Sequence, residues 1–557
     1  MTSWLPVLLI IFVVFLLISL YKKLFSTKKK LNEITTRWGK PIDSQRNFKS
    51  ISGYLDSCSD ENYISQETAS DLNMEEVFSF IDRTSSKPGQ QYLYKKIYRL
   101  ETDEIYFAKL EERIDKLNKN QQLREQIELK LSELNHNDAY YLPKLFSKEH
   151  KSLFKPLTES YIKISAIIII TLIILLIAVP NQIYLFLLLV MFITNMVIHF
   201  RNKRNILSYT HSLPQLLTLI KVGKWLAEKE CLEQNDIIKK SLAKVSKLKR
   251  SLSMINLQSK ANSDPTDFSY LFTEWLNMLL LIEPLVFVSS IKKVNKYLSD
   301  IRMIYESIAE IDMAISIQSV RDGLPYYCKP NLVATEEKMT VKDLFHPLVD
   351  NCVANSISSD NSQGVLITGS NMSGKTTFIR AIAVNALLSQ TIHTSCTTTY
   401  QGPPIKIFTS INMSDNLGEH KSYFQAEALS VLNILNHCSS NEPVKSLVII
   451  DEIFRGTNTI ERIAAAKAVL SYLIENKNFV FVSTHDVELA ALLGNDYAVY
   501  SFEELIGDNR LIFDYKIKEG LLKNKNGIAV LQGLGYPQII IDDAYMVSKQ
   551  LRDKYDL

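Results

Sequence analysis

Three long apolar stretches stand out from an otherwise mixed chain of 557 residues. The first covers residues 4–21 and is followed by five lysines between positions 22 and 30. Because a helix needs about 20 apolar residues to cross a bilayer, this stretch predicts an uncleaved membrane anchor. A cleavable signal peptide is the alternative, but no positive charge precedes the stretch and no small-x-small cleavage site follows it.

The other two apolar stretches, residues 164–179 and 183–200, are separated only by Pro180-Asn181-Gln182. Their length and lack of charge favour a membrane hairpin over the alternative of buried helices in a soluble core. Lysines and arginines flank both open ends of the hairpin and follow the first stretch, and the positive-inside rule places those flanks in the cytoplasm. We therefore expect a multi-pass protein of the inner or plasma membrane, with three spans in contact with lipid, an outside N-terminus and a cytoplasmic C-terminal region.

The sequence around the hairpin is helical in pattern. Apolar residues recur at intervals of three and four through residues 104–134, and again through residues 301–311, amid many charged residues. This spacing is typical of amphipathic helices. It predicts two all-α segments, one on each side of the hairpin, and neither contains an obvious catalytic constellation.

Composition and charge restrict the function only weakly. The net charge is +3 and the isoelectric point is near 8.2, so bulk electrostatics give no reason to expect nucleic-acid binding. The six cysteines are scattered without a C-x-x-C pair, a pattern of reduced cytoplasmic cysteines rather than of a zinc site or disulfide framework. A basic cluster at residues 239–250 has three open interpretations: contact with DNA phosphates, contact with anionic lipid, or a solvated helix face.

A phosphate-binding loop is predicted in the C-terminal part of the chain. Residues 365–367 form an apolar run typical of a buried strand, and residues 369–376 fit the pattern G-x-x-x-x-G-K-[ST] in full, although a glycine-rich turn is the alternative. The glycines let backbone N–H groups point at phosphate oxygens, and the next helix directs its positive end at the same anion. Lys375 can reach the β- and γ-phosphates, and the Thr376 hydroxyl can bind Mg²⁺. The predicted nucleotide-binding residues are Gly369, Ser370, Asn371, Met372, Ser373, Gly374, Lys375, Thr376 and Thr377.

Two further apolar strands end in polar side chains suited to catalysis. Residues 446–450 are followed by the adjacent acids Asp451 and Glu452. Residues 479–482 are followed by Ser483, Thr484 and His485. In a phosphate-loop ATPase the first acid orders the Mg²⁺ shell and the second polarises the attacking water, so we assign these roles to Asp451 and Glu452. His485 is assigned to sensing the γ-phosphate and holding that water, with a structural histidine as the alternative.

Four motifs together resemble the ATPase domain of the MutS family: TGSNMSGKTTFIRAI, SYFQAEALSVLNIL, DEIFRGTNTIERIAAAKAVL and STHDVEL. The resemblance extends over residues 70–150 and 205–557. It implies a P-loop α/β ATPase domain of the ABC/MutS type, preceded by an all-α core and lever domain that the transmembrane hairpin interrupts, with an N-terminal transmembrane helix. The expected organisation is an anchor and basic flank (1–30), a first helical segment (31–160), the hairpin (161–204), a second helical segment (205–335) and the ATPase domain with C-terminal dimerisation helices (336–557).

The resemblance also implies individual roles. Ser422 matches the serine that crosses a homodimer interface to the partner's γ-phosphate, with a structural turn serine as the alternative. Cys352 stands where the family has an aromatic ring that stacks on adenine, so base packing must come from elsewhere. The chain between the anchor and the helical core lacks the family's Phe-x-Glu wedge, so we expect no direct mismatch reader.

These observations lead to one main hypothesis and two alternatives. The main hypothesis is a membrane-anchored ATPase that uses ATP and Mg²⁺, closes as a dimer and moves helical levers, with a role associated with DNA repair or recombination. A transport motor is less consistent because the L-S-G-G-Q signature of ABC transporters is missing, and a scaffold switched by ATP binding would not need both acids. The predicted catalytic residues are Lys375, Ser422, Glu452 and His485, and the predicted metal ligands are Thr376 and Asp451.

Overall fold

The protein is described by a computed structural model in two compact units that interleave along the chain. The first unit contains residues up to 59, 82–95 and 109–322, and the second contains residues 60–81, 96–108 and 323 onward. The predicted anchor, Asn371 and Ser422 lie outside the described residues. Those residues are 25–58, 63–150, 154–231, 235–248, 268–370, 372–411, 423–439, 444–507, 510–521, 528, 531–532 and 535–555.

Helices make up most of the first unit, whereas the second unit combines helices with β-sheets. Residues 25–37 are helical, and short 3-10 turns lie at Leu55–Ser57, Ser132–Leu134, Asn137–Leu145 and Gly494–Asp496. The α-helices are α1 (Phe48–Ile51), α2 (Gln66–Asp71), α3 (Met74–Ile81), α4 (Lys87–Tyr98), α5 (Glu104–Asn118), α6 (Gln121–Leu131), α7 (Pro156–Ala178), α8 (Gln182–Glu228), α9 (Asn235–Ser246), α10 (Phe268–Leu280), α11 (Ile282–Asn295), α12 (Leu298–Gly323), α13 (Lys375–Thr391), α14 (Tyr423–His437), α15 (Thr459–Glu475), α16 (Glu488–Leu493) and α17 (Gln538–Tyr555).

The two apolar stretches in the middle of the chain form helices α7 and α8. Both are long and apolar enough to cross a membrane, with mean hydropathies of 2.7 for Pro156–Ala178 and 2.3 for Gln182–Asn202. Most of their apolar side chains face away from the protein. The apolar part of the second helix ends at Asn202, close to the predicted end of the hairpin at residue 204, and the helix itself continues to Glu228 as one helix of 47 residues. The membrane location itself stays a prediction.

The base of this hairpin packs against helices α10 and α11, whose axes differ by 67°. Leu281 lies between these two helices with a left-handed φ of 51°. Close to the break, the Asn195 amide of α8 donates a hydrogen bond to the carbonyl of Leu279 at 2.7 Å. The Tyr161 hydroxyl of α7 in turn donates to Asn195 Oδ1, also at 2.7 Å. The Tyr161 and Asn195 side chains therefore supply hydrogen-bond partners for polar groups within an otherwise apolar contact.

The core of the helical unit is organised around Asp312 on α12, which is fully buried. Its carboxylate accepts hydrogen bonds from the backbone N–H groups of Ser85 at 2.9 Å and Ser86 at 2.8 Å. These residues precede α4, so the contact fixes α4 against α12. Gly89 on α4 packs closely against Asp312, because a Cβ added to this glycine would lie only 2.6 Å from the Asp312 Cβ.

The second unit contains a six-stranded sheet and a four-stranded sheet. The larger sheet has the order β10-β9-β4-β8-β7-β6, in which β10 is antiparallel to β9 and all other neighbours are parallel. The carboxyl ends of β4, β7 and β8 are therefore adjacent at one edge, where ligands bind in open parallel sheets. The strands are β1 (Asn331–Leu332), β2 (Lys338–Leu344), β3 (Asn355–Asp360), β4 (Gly364–Gly369), β5 (Thr399–Gly402), β6 (Lys406–Ser410), β7 (Ser446–Asp451), β8 (Phe479–Thr484), β9 (Tyr497–Gly507) and β10 (Arg510–Glu519).

Candidate nucleotide site

The predicted phosphate loop connects β4 to α13 at the carboxyl edge of the sheet. Gly374 precedes the helix with a left-handed φ of 102°, a conformation that glycine adopts without strain. Gly369 begins the loop, and a Cβ there would lie 2.9 Å from Ser373 Oγ and 3.0 Å from the carbonyl oxygen of Phe502. The Lys375 ammonium folds back onto the carbonyls of Gly369 and Ser370, at 2.7 and 2.8 Å. The loop thus surrounds a lysine charge at the positive end of a helix, an arrangement suited to phosphate.

Thr376 and Asp451 meet across the gap between β4 and β7. The Thr376 hydroxyl donates a hydrogen bond of 2.7 Å to Asp451 Oδ2, and the Ser483 hydroxyl of β8 donates to Asp451 Oδ1. Within the described ranges, no group of three or more His, Cys, Asp or Glu side chains is arranged to hold a metal. One carboxylate and one hydroxyl beside a phosphate site are a donor set that fits Mg²⁺, which usually retains water and phosphate oxygens as its other ligands.

Glu452 lies immediately after β7 and faces the same cavity as Asp451. Its left-handed φ of 53° turns the backbone at the strand end, where its N–H donates to the Ser483 carbonyl at 2.8 Å. His485 Nε2 lies 2.7 Å from Glu452 Oε1, and Arg455 Nε lies 2.8 Å from Glu452 Oε2. The hydrogen bond from His485 is the main cause that lowers the pKa of Glu452, with the charges of His485, Arg455 and Lys375 acting in the same direction. These contacts favour the ionised carboxylate, which is the form that can accept a proton.

A cavity of about 790 Å³ joins these groups. Lys375, Thr376, Asp451 and Glu452 lie on its polar side. Its volume is within the range of sites that bind small ligands and cofactors. The cavity brings together four of the side chains that the sequence assigned to phosphate, metal and water.

Another part of the same cavity is lined by Cys352 and the rings of Phe502 and Tyr515. Phe378 and His346 line the cavity as well, so several aromatic rings stand near Cys352. The expectation that base packing comes from a residue other than Cys352 stays a prediction. Tyr515 has a φ of 52° and lies in an irregular part of the β9–β10 ladder. Its ring approaches the phosphate loop, since a Cβ on Gly374 would lie 3.2 Å from Tyr515 Cδ1.

Several side chains around the site were not singled out from the sequence. Arg455 contacts Glu452, and its position within the D-E-x-x-R-G-T motif was the available signal. Arg462 forms a bidentate salt bridge with Asp486, the residue after His485. Its Nη2 and Nε atoms lie 2.7 and 2.9 Å from the two carboxylate oxygens. Tyr515 gave no sequence signal because it reaches the cavity through an irregular ladder. Asn371 and Ser422 are outside the described residues, so their predicted roles stay predictions.

The parallel sheet, the glycine loop between β4 and α13, and the two acids at the end of β7 are features typical of a phosphate-loop ATPase domain. Residues 365–552 match the family described as MutS domain V. Residues 365–552 therefore belong to the MutS domain V family.

Curated relatives are consistent with this assignment. The DNA mismatch repair protein MSH3 of Debaryomyces hansenii is 30% identical over 291 residues, covering 47% of this chain and 28% of that protein. The DNA mismatch repair protein MutS of Petrotoga mobilis is 30% identical over 290 residues, covering 50% of this chain and 34% of that protein. MutS of Clostridium novyi is 32% identical over 293 residues, covering 49% and 31%. The alignments span about a third of the length of these relatives.

Proposed function

We propose that this protein is a membrane-anchored ATPase of the MutS family, which binds ATP with Mg²⁺ and hydrolyses it in a dimeric site. The observation that carries the proposal is the convergence of Lys375, Thr376, Asp451 and Glu452 on one cavity at the carboxyl edge of the sheet. Movement of the helical unit in response to ATP is the proposed output.

In this proposal the residues divide the chemistry as follows. Lys375 leaves the carbonyls of Gly369 and Ser370 and pairs with the β- and γ-phosphates, which lowers the cost of the charge that develops on them. Glu452 orients a water molecule and accepts its proton as the water oxygen bonds to the γ-phosphorus, while the bond to the β-phosphate oxygen breaks and ADP and phosphate result. When bound, Mg²⁺ supplies additional positive charge to the phosphates, with Thr376 and Asp451 as the residues that hold it.

Dimerisation is supported by the exposed apolar side chains of the second unit. Leu429 and Leu432 on α14 are about half exposed, and Ile539 and Met546 on α17 are exposed as well. Contiguous exposed apolar surface often marks a protein interface. In the proposed dimer, Ser422 of each copy reaches the γ-phosphate bound by the other copy.

The dimer can be tested with full-length protein in detergent, using a Glu452→Gln variant to keep ATP unhydrolysed. We expect light scattering to show twice the protein mass with Mg²⁺-ATP and the single mass with Mg²⁺-ADP. A matched Glu452→Gln, Lys375→Ala variant should stay at the single mass under both conditions. The same mass with and without ATP, in a protein shown to bind ATP, would contradict ATP-driven dimerisation.

Membrane attachment is supported by the outward-facing apolar surface of α7 and α8, where Ile167, Ile177, Ile183 and Phe186 are all more than 60% exposed. Water contact with so large an apolar surface is unfavourable, whereas lipid contact is not. We expect the protein to remain in the membrane fraction after extraction with alkaline carbonate. Release into the carbonate supernatant, together with a control integral protein that stays behind, would contradict the three-span arrangement.

The role in DNA repair or recombination is proposed from the family alone, because the relatives are named as DNA mismatch repair proteins. The basic helix α9, on which Lys239, Lys240 and Lys244 are exposed, offers a surface for phosphates of DNA or of lipid. A DNA titration across salt concentrations tests the DNA alternative, because contacts with DNA phosphates weaken steeply with salt. Absence of DNA affinity at low salt would leave an ATP-driven membrane protein without a DNA role.

A further inference from the structure

The turn that carries Glu452 has an unusual backbone. Glu452 and Phe454 have φ values of 53° and 62°, although neither is glycine. Side chains disfavour this left-handed region, so such conformations persist where the surrounding structure enforces them. The orientation of Glu452 therefore depends on whatever holds residues 452–456 in place.

Glu427 on α14 makes that contact. Its carboxylate Oε1 accepts hydrogen bonds from the backbone N–H groups of Phe454 and, at 3.3 Å, of Arg455. The Glu427 side chain is 4% exposed, so water does not compete for these two donors. A buried carboxylate that receives two backbone N–H groups is a strong, charge-assisted connection.

Two apolar contacts reinforce the same connection. The rings of Phe424 and Phe454 are 6.0 Å apart between centroids. Gly456 packs directly on α14, since a Cβ at this position would lie 2.8 Å from Phe424 Cβ. The first two turns of α14 therefore hold the turn at three consecutive residues, Phe454, Arg455 and Gly456.

We infer that Glu427 is a positioning residue that sets the orientation of Glu452 for attack of water on ATP. It does so by fixing the backbone of Phe454 and Arg455, which lie two and three residues after Glu452 in the same left-handed turn. Glu427 itself does not line the nucleotide cavity. The inference rests on the proposed ATPase function and adds a residue that acts on turnover without touching the nucleotide.

The inference predicts a division between catalysis and binding. Replacing Glu427 with Ala leaves the Phe454 and Arg455 N–H groups without their buried acceptor, so the turn relaxes and Glu452 loses its orientation. We expect Glu427→Ala to lower kcat about 100-fold, the scale of a small displacement of a catalytic group, while the Kd for a fluorescent ATP analogue changes little. Glu427→Gln keeps a neutral oxygen acceptor and should retain kcat within about tenfold of the original protein. Glu475→Ala, at an exposed glutamate that ends α15 and does not line the cavity, is the matched control and should retain full activity.

A double-mutant cycle with Glu452→Gln distinguishes positioning from general damage. If Glu427 acts through Glu452, adding Glu427→Ala to Glu452→Gln should reduce the residual turnover by less than about threefold, because the two residues act as one unit. A full additional 100-fold loss, or an unchanged kcat in Glu427→Ala alone, would overturn the inference. If Glu427→Ala does not fold, the cycle is measured with Glu427→Gln instead. The smaller loss of kcat that Glu427→Gln causes in the original protein should then shrink or disappear when Glu452→Gln is already present, and a full additional loss would overturn the inference.

The outcome also separates this inference from the proposed function. Lack of ATP binding and turnover in the unmodified protein would reject the proposed ATPase. If the unmodified protein hydrolyses ATP, Glu452→Gln abolishes this activity and Glu427→Ala does not change it, the proposed ATPase function stands. That result would reject only the role of Glu427.

Discussion

Arg455 Nε lies 2.8 Å from one carboxylate oxygen of Glu452, the residue that we assign to activating water. His485 lies 2.7 Å from the other oxygen, so both oxygens have a partner in this structure. A water molecule that donates its proton to Glu452 competes with these partners for the lone pairs of the carboxylate. The Arg455 side chain is 41% exposed, which makes it the easier of the two contacts to exchange with solvent.

We therefore predict that Arg455→Ala raises ATP turnover by up to about fivefold, since a partly exposed ion pair is worth at most about 1 kcal/mol. Arg455→Lys keeps a cation near Glu452 and serves as the control, with turnover close to that of the original protein. Phosphate release under saturating Mg²⁺-ATP measures both. A tenfold or larger loss of turnover in Arg455→Ala would instead place the guanidinium in the chemical step.

The acid side of the pH profile depends on His485. Its hydrogen bond to Glu452 is the main reason that the pKa of Glu452 lies below its ordinary value of 4.5. A lowered pKa means that the ionised, active carboxylate persists above the folded-state pKa and is lost as the pH falls through it. His485→Ala removes this stabilisation, so the acidic limb of kcat should move to higher pH.

The control for this profile is His485→Gln, whose amide N–H can still donate to Glu452. Its acidic limb should lie between those of the original protein and His485→Ala. Identical acidic limbs in all three proteins, measured between about pH 4 and 7 where Glu carboxylates titrate, would show that His485 does not set the charge of Glu452.

Tyr515 provides an exposed aromatic ring near the phosphate loop, and base stacking on an aromatic ring contributes about 1–3 kcal/mol per base. We predict that Tyr515→Ala raises the Kd for ATP about tenfold or more, while Tyr515→Phe, which keeps the ring, changes it little. Equilibrium binding of a labelled ATP analogue measures the difference. Equal affinities for all three proteins would remove Tyr515 from the base site.

Gly89 supports the helical core through its contact with Asp312, because a methyl group there would lie 2.6 Å from Asp312 Cβ and Cγ. We predict that Gly89→Ala destabilises the protein by about 1–3 kcal/mol, the usual cost of overpacking a core. Gly53→Ala is the matched control, since its Cβ would have no neighbour closer than 3.4 Å. Thermal unfolding in detergent should show a lower midpoint for Gly89→Ala alone, and equal midpoints would contradict the close contact.

Local patterns predicted much of the nucleotide site. Strand β4, the glycine loop and helix α13 are contiguous in the chain, so their order could be read from spacing, as could the acids at the end of β7. Glu427 could not be found in this way. Its partners, Phe454 and Arg455, are 27 and 28 residues away, and the contact exists only because α14 packs on the turn after β7.

The helical unit shows the same limit. Apolar runs identified α7 and the start of α8, but they did not indicate that α8 continues to Glu228 after the apolar run ends. The residues after this run are charged and still helical, and the sequence predicted a helical segment there without showing that it is continuous with α8. Two short stretches, 60–81 and 96–108, group with the ATPase unit although the sequence placed them in the first helical segment.

The most direct measurement is steady-state release of phosphate by the purified full-length protein with Mg²⁺-ATP, compared with Glu452→Gln. We predict that the original protein hydrolyses ATP and that Glu452→Gln binds ATP with similar affinity but turns it over at least about 100-fold more slowly, as expected for removal of a general base. Hydrolysis by Glu452→Gln at the original rate, or no ATP binding by either protein, would contradict the assignment of this cavity as an ATPase site.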